Sequence, residues 1–301
     1  MKINRREMLQ GVAATAAMAT LAPRQLFAAA DNLAAFAGEP AAATKQVIDA
    51  LGGMGKFVSK GDRVVIKPNM GFASPPAQGA NTNPIVVRTL CELALNAGAK
   101  SVLVVDCPVA QIGPSVERNG YKEELGKLPD VVCTLVREPK FFVATNIPKG
   151  RHLQKANVLR QVLNCDTLIN VPVAKSHGSA LVTAGMKNWM GIVYDRQVWH
   201  TSFDLHQCIA DFSTLIKPKL IVLDASRVMT TKGPGGPGNV KVFWRIYGGT
   251  DPVAIDSVAV TIAEWNGKKL EPNDVPYIKL AAEMGVGAIR NIELPVLPVV
   301  A

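Results

Sequence analysis

DTLINVPVAKSHGSALVTAGMKNWMGIV, residues 166–193, is the stretch from which the fold is read. It opens on a short apolar run, Thr167 to Val171, that reads as a buried strand. Pro172 stops the run, because proline has no N–H to give to a sheet ladder. Lys175, Ser176 and His177 come next, where a strand is expected to hand over to a loop. A glycine-punctuated segment then carries Lys187, Asn188 and Trp189. Two lysines, a histidine and an amide beside small residues suggest a site that a ligand can approach closely. A solvated basic loop is the alternative.

Working outward, Arg63 to Ile66 reads as a strand ending in Lys67-Pro68-Asn69. Asn83-Pro84 starts a helix, with Asn as the cap and Pro at the first helical position. That helix runs from Ile85 to Asn96 and ends before Gly98, and Ser101 to Val105 is the next strand, ending in Asp106. Strand–helix–strand order is the mark of a parallel sheet. Thr44 to Val58 has helical spacing, Val131 to Val136 reads as a strand, and Ala156 to Leu163 as a short helix. Downstream come a helix from Phe203 to Ile216 and a strand from Leu220 to Leu223 that ends in Asp224. A Gly/Pro loop spans Gly233 to Gly238, and two further helices cover Val253 to Trp265 and Val275 to Met284. The expected fold is α/β: a mainly parallel, Rossmann-like layered sheet with helices on both faces, in one domain over residues 45–301.

Hydrophobic residues make up 48% of the 301 and charged ones only 19%, as in a globular chain with a sizeable core. The net charge of +9 comes without any Lys/Arg block or basic–aromatic repeat, so no nucleic acid partner is expected. The five cysteines include no C-x-x-C, so no intrinsic iron–sulfur cluster or zinc knuckle is expected. The reading for them is small buried thiols.

Residues 1–30 read as an address. Arg5-Arg6 is followed by one residue and then Met8-Leu9, as in the twin-arginine export motif. A weakly apolar stretch, Gly11 to Ala22, lies behind it and is short of the roughly 20 residues that span a bilayer. Ala28-Ala29-Ala30 supplies a small-residue cleavage site. A Sec leader is the alternative. Residues 31–44 read as a linker. The expected mature protein is periplasmic or otherwise exported, has met the twin-arginine machinery, and has no transmembrane segment.

Four apolar runs end in polar residues: Lys67 and Asn69, then Asp106, then Lys175 and His177, then Asp224. In open parallel sheets, ligands bind outside the carboxyl ends of the strands. Asp106 is equally well explained as a cap for the next helix. Lys67, Lys175 and Lys187 would neutralise a carboxylate or phosphate. His177 would be the acid–base group, with Lys187 beside it in the catalytic set. Asn69 and Asn188 would orient the substrate. Gly235 and Gly236 would free backbone amides for the anion. Asp224, Asp251 and Asp256 would hold a divalent metal or the lysines, although Asp256 on the solvent face of its helix is an equal alternative. His200 and His206 read as structural or exposed.

Together these pieces resemble the domain-of-unknown-function family 362. The resemblance rests on Val64-Val65-Ile66-Lys67-Pro68-Asn69, Asn81-Thr82-Asn83-Pro84, Asp166 to Pro172 with Lys175-Ser176-His177, Lys187-Asn188-x-x-Gly191, the segment from Asp224 to Gly238, and Asp251 with Asp256. Some relatives carry ferredoxin-like cysteine motifs, which are missing here. The family implies a site and leaves its reaction open. An exported enzyme binding a small anionic ligand is the preferred expectation. A non-enzymatic binding protein, or an assembly factor for an exported redox complex, is the rival.

Overall fold

The computed structural model describes residues 32–290 and 294–299. The expected leader lies outside them. β1 (Ala34–Ala37) and α1 (Pro40–Ala50) come first. Both fall in or overlap the stretch expected to be a linker: the apolar Ala34, Ala35 and Phe36 are buried between two strands from late in the chain, antiparallel to one and parallel to the other. α1 begins on a proline at its first turn and stops before Gly52 and Gly53, both at positive φ, so it does not reach Val58.

β2 (Arg63–Pro68), α2 (Pro84–Asn96), β3 (Ser101–Asp106) and β4 (Val131–Leu135) form as expected. The side chain of Asn83 accepts from Ile85 N at 3.1 Å and caps α2. β5 (Phe142–Asn146) and β6 (Lys155–Leu159) form a separate antiparallel pair. Only Arg160–Leu163 of the expected helix there is helical, because Ala156, Val158 and Leu159 are buried in the ladder with β5.

β7 (Thr167–Val171) is the predicted strand. Pro172 breaks the ladder without ending the extended chain. β8 (Val173–His177) continues at once and pairs with β9 (Leu181–Thr183) as a hairpin. Lys175 and His177 therefore sit on a strand, not in a loop. Then come α3 (Gly185–Asn188) and α4 (Leu205–Ser213), the latter capped by Asp204, which accepts from His206 N at 2.8 Å. β10 (Leu220–Met229) runs past Asp224, and β11 (Val240–Gly249) returns antiparallel to it. β11 was not expected. α5 (Pro252–Thr261), α6 (Pro276–Glu283) and β12 (Leu297–Pro298) complete the chain.

The strand order is β12-β1-β11-β10-β7-β2-β3-β4. From β10 to β4 all neighbours are parallel, and β11 forms an antiparallel margin with β10 and β1. Alternation along each strand splits the core into two layers. Val64 and Ile66 of β2 join α1 and α2 on one face, while Val65 joins α4, α5 and α6 on the other. The fold is α/β, mostly parallel, with helices on both faces. Among the described residues no helix is long and apolar enough to cross a membrane.

Close packing of α1 on the sheet depends on Gly248 of β11, where an added methyl would collide with Val47 Cγ1 and lie 3.0 Å from Leu51 Cδ1. Gly248→Ala is expected to lower stability by about 1–3 kcal/mol through overpacking. Urea unfolding should show a lower midpoint with an unchanged slope.

Candidate functional site

Because β2, β3, β7 and β10 run parallel, their carboxyl ends share one edge, and a cleft of about 770 Å³ opens there. Lys67, Asn69, Lys175, His177, Lys187 and Asn188 all line it. Asp106, Thr183, Arg196 and His200 line it as well. The expected convergence of residues from distant parts of the chain is what the fold produces, with Asp224, Gly235 and Gly236 left off the wall.

Lys67, at the end of β2, is fully buried. Its Nζ pairs with Asp106 Oδ1 at 2.9 Å, and donates to Asn188 Oδ1 at 2.9 Å and Pro68 O at 2.6 Å. Burial pulls its pKa below the usual lysine range, and the Asp106 carboxylate opposes that. Asp106 also accepts from Met70 N at 2.7 Å and Cys107 N at 3.0 Å. Its role is thus more than a cap, and the strand-end pattern was the signal for it.

The two asparagines orient protein groups. Asn188 Nδ2 donates to Asn170 Oδ1 at 2.8 Å and Lys67 O at 3.2 Å, and Asn69 Nδ2 donates to Asn188 Oδ1 at 3.1 Å. Asn170 Nδ2 donates in turn to Gly185 O at 2.9 Å, which ties α3 to β7. Nothing in the apolar run around Asn170 marked it beforehand.

Lys175 has no ion pair among the described residues. Its Nζ donates to Ala80 O and to Asn69 Oδ1, and lies 4.4 Å from the centre of the Phe72 ring. Burial, and then the charge of Lys187, push its pKa well below the usual value. Lys187 is held more loosely, with its Nζ 3.0 Å from Met190 Sδ and no carboxylate paired to it among the described residues. Burial, then Arg196 and Lys67, bring its pKa down to about 7. An amine in that position exchanges its proton near neutrality.

His177 Nδ1 accepts from Ser179 N at 3.1 Å and Ala180 N at 3.0 Å. Two donors on Nδ1 leave the ring proton on Nε2 and oppose a second proton. Burial and the neighbouring Lys187 push its pKa to about 2. His177 is therefore a neutral hydrogen-bond donor instead of the expected acid–base group. The His200 ring stacks on it at 5.9 Å. Arg196 is anchored by main-chain carbonyls, donating to Cys107 O and Pro108 O at 2.8 Å and Met190 O at 3.2 Å. Its sequence neighbourhood carries no signal of this. Thr183 lines the cleft, and its buried Oγ1 has no hydrogen-bond partner among the described residues.

The three carboxylates expected to hold a metal do not fit one. Asp224 accepts from Asn83 N at 2.7 Å and Ser226 N at 2.9 Å. Asp251 accepts from Val253 N, Ala254 N and Ala288 N, and so caps α5. Asp256 accepts from Gly185 N at 2.6 Å and Met186 N at 3.0 Å; it is buried against α3, and desolvation raises its pKa to about 7. No group of three or more His, Cys, Asp or Glu is arranged to hold a metal among the described residues. Gly235 packs against the Phe72 ring and Gly236 against Met229, so Pro234 is the residue of that loop that reaches the cleft. Cys91, Cys107 and Cys208 are buried and Cys133 is exposed; all five cysteines are free.

Comparison with known proteins adds a family. The model of the family described as "Domain of unknown function (DUF362)" matches residues 64–261. The thylakoid-associated protein sll1697 of Synechocystis is 28% identical over 259 residues, covering 83% of this chain and 76% of that protein. Two solved structures are similar at 12% identity: a Thermotoga maritima protein, with a TM-score of 0.42, and the lactate racemase apoprotein of Thermoanaerobacterium thermosaccharolyticum, at 0.44. The similarity takes in 70% and 73% of this chain, which spans only 55% and 54% of theirs.

Gly191 passes directly over the Lys67–Asp106 pair, where an added methyl would collide with Asp106 Oδ1 and lie 2.6 Å from Lys67 Nζ. Gly191→Ala is expected to part the pair and cost on the order of 3 kcal/mol, the scale of a broken buried ion pair. Thermal unfolding of the variant beside the parent measures it.

Proposed function

The chain belongs to the DUF362 family, and from the geometry of its cleft we propose that it is an enzyme that binds an anion there and uses neutral Lys187 to take up a proton from it. One observation carries the reading: Lys187 lies buried on the wall of a cleft with more cationic than anionic side chains, and it has no carboxylate partner among the described residues. An entering anion relieves the repulsion among Lys67, Lys175 and Arg196. It also makes the Lys187 amine a stronger base at the moment a proton is to be moved. His177 offers its Nε2–H. The arrangement suits reactions in which negative charge grows on the ligand as its proton leaves.

Competitive acetylation with trace acetic anhydride across pH, read by mass spectrometry, tests the proposal. Lys187 should label with a midpoint near 7, far below the surface lysines, and phosphate or acetate should protect it. Labelling with an ordinary midpoint above about 10 would remove the proton acceptor and leave a binding protein. Lys187→Met should lose any turnover and retain the fold.

The finer cellular reading is export through the twin-arginine machinery to the periplasm, supported by Arg5-Arg6, Met8-Leu9 and the Ala28-Ala29-Ala30 site. Changing both arginines to lysine should leave uncleaved precursor in the cytoplasm. Normal processing of that variant would point to the Sec route.

A further inference from the structure

The floor and the rim of the cleft differ in chemistry. The floor is buried and polar: Lys67, Lys175, Lys187, Asn188 and Thr183 are all buried. The rim carries Val109, Tyr194 and Val198, exposed by 62%, 42% and 38%. These are three of the eight large apolar side chains exposed among the described residues. Single exposed hydrophobics are ordinary, but gathering three around one opening is not expected of scatter.

The rim is also fixed in place. Val109 N donates to Gly71 O at 2.9 Å, as does Ala110 N at 3.0 Å. Tyr194 N donates to Asn157 O at 3.0 Å, and its ring lies 5.4 Å from that of Phe142. Val198 N donates to Asp195 O at 3.2 Å. A surface already ordered loses little entropy on binding.

Volume argues the same way. A water occupies about 30 Å³ of liquid, so an anion of four or five heavy atoms fills roughly 100–150 Å³. The cleft, at about 770 Å³, is several times larger. A bare small anion would leave the rim wet and most of the space unfilled.

Resting on the anion-binding reading above, we infer that the ligand is amphipathic: an anionic head held on the lysine floor, with an apolar body lying against Val109, Tyr194 and Val198. The head is a carboxylate or a phosphate, since both suit the floor. The body is an alkyl or aryl group of several carbons.

Calorimetric titration of the purified protein with straight-chain carboxylates from acetate to octanoate, and with alkyl phosphates in parallel, tests this. Affinity should rise about fourfold per methylene while the chain stays within the cleft. The stronger series identifies the head. Val109→Ser and Val198→Ser should each weaken octanoate or octyl phosphate about fivefold to tenfold. Equal affinity for acetate and octanoate in both series would overturn the inference and leave the anion site intact. A chain-length gain that neither substitution reduces would also overturn it, because the body would then lie elsewhere. Failure of every member of both series to bind would remove the anion site itself, and this inference with it.

Discussion

The buried pair between Lys67 and Asp106 is the contact on which the site depends. Neither side chain has more than 2% of its surface exposed, so each charge has lost nearly all its water. Such a pair persists only when further hydrogen bonds satisfy what remains. Here Pro68 O and Asn188 Oδ1 serve the ammonium, while Met70 N and Cys107 N serve the carboxylate. Those partners come from the ends of β2 and β3 and from α3. The pair therefore sets the spacing of two strand ends, and the chain that covers it must pass without a side chain, at Gly191.

A second level of support comes from below. Asp256 on α5 receives the first two amides of α3, and Asn170 on β7 receives Asn188 and donates to Gly185 O. α3 is only four residues long, so its own hydrogen bonds could not hold it. Lys187 keeps its place because acceptors from a strand and a helix grip the turn that bears it. Asp106, Asp224, Asp251 and Asp256 thus work as anchors for main-chain amides. That explains why they look like metal ligands in the sequence and do not gather as such in space.

The parallel centre of the sheet was legible because it depends on local signals: apolar runs of strand length, an Asn-Pro helix start, and polar residues at strand ends. The same signals brought Lys67, Asn69, Lys175, His177, Lys187 and Asn188 together, since carboxyl ends of parallel strands must share an edge. What was not legible depends on distant pairing. β11 carries charges and aromatics in no clear alternation, and its ladders with β10 and β1 make it a strand. β1 looks like linker because alanines pack between strands as readily as they fill a loop. The role of His177 turned on two amides just beyond it, and that of Arg196 on carbonyls far away in sequence.

Arg196 and Lys175 are held by carbonyl and amide oxygens, which fix a cation without cancelling its charge. Whatever positive charge these groups carry is therefore open to counter-ions from the buffer. On the proposed anion-binding reading, ligand entry is an ion exchange: one anion arrives and looser ones leave. Affinity measured in such a site falls as ionic strength rises, because salt both screens the field and competes for the same floor. On that reading the surroundings in which this protein works, and not its residues alone, set how full the cleft is.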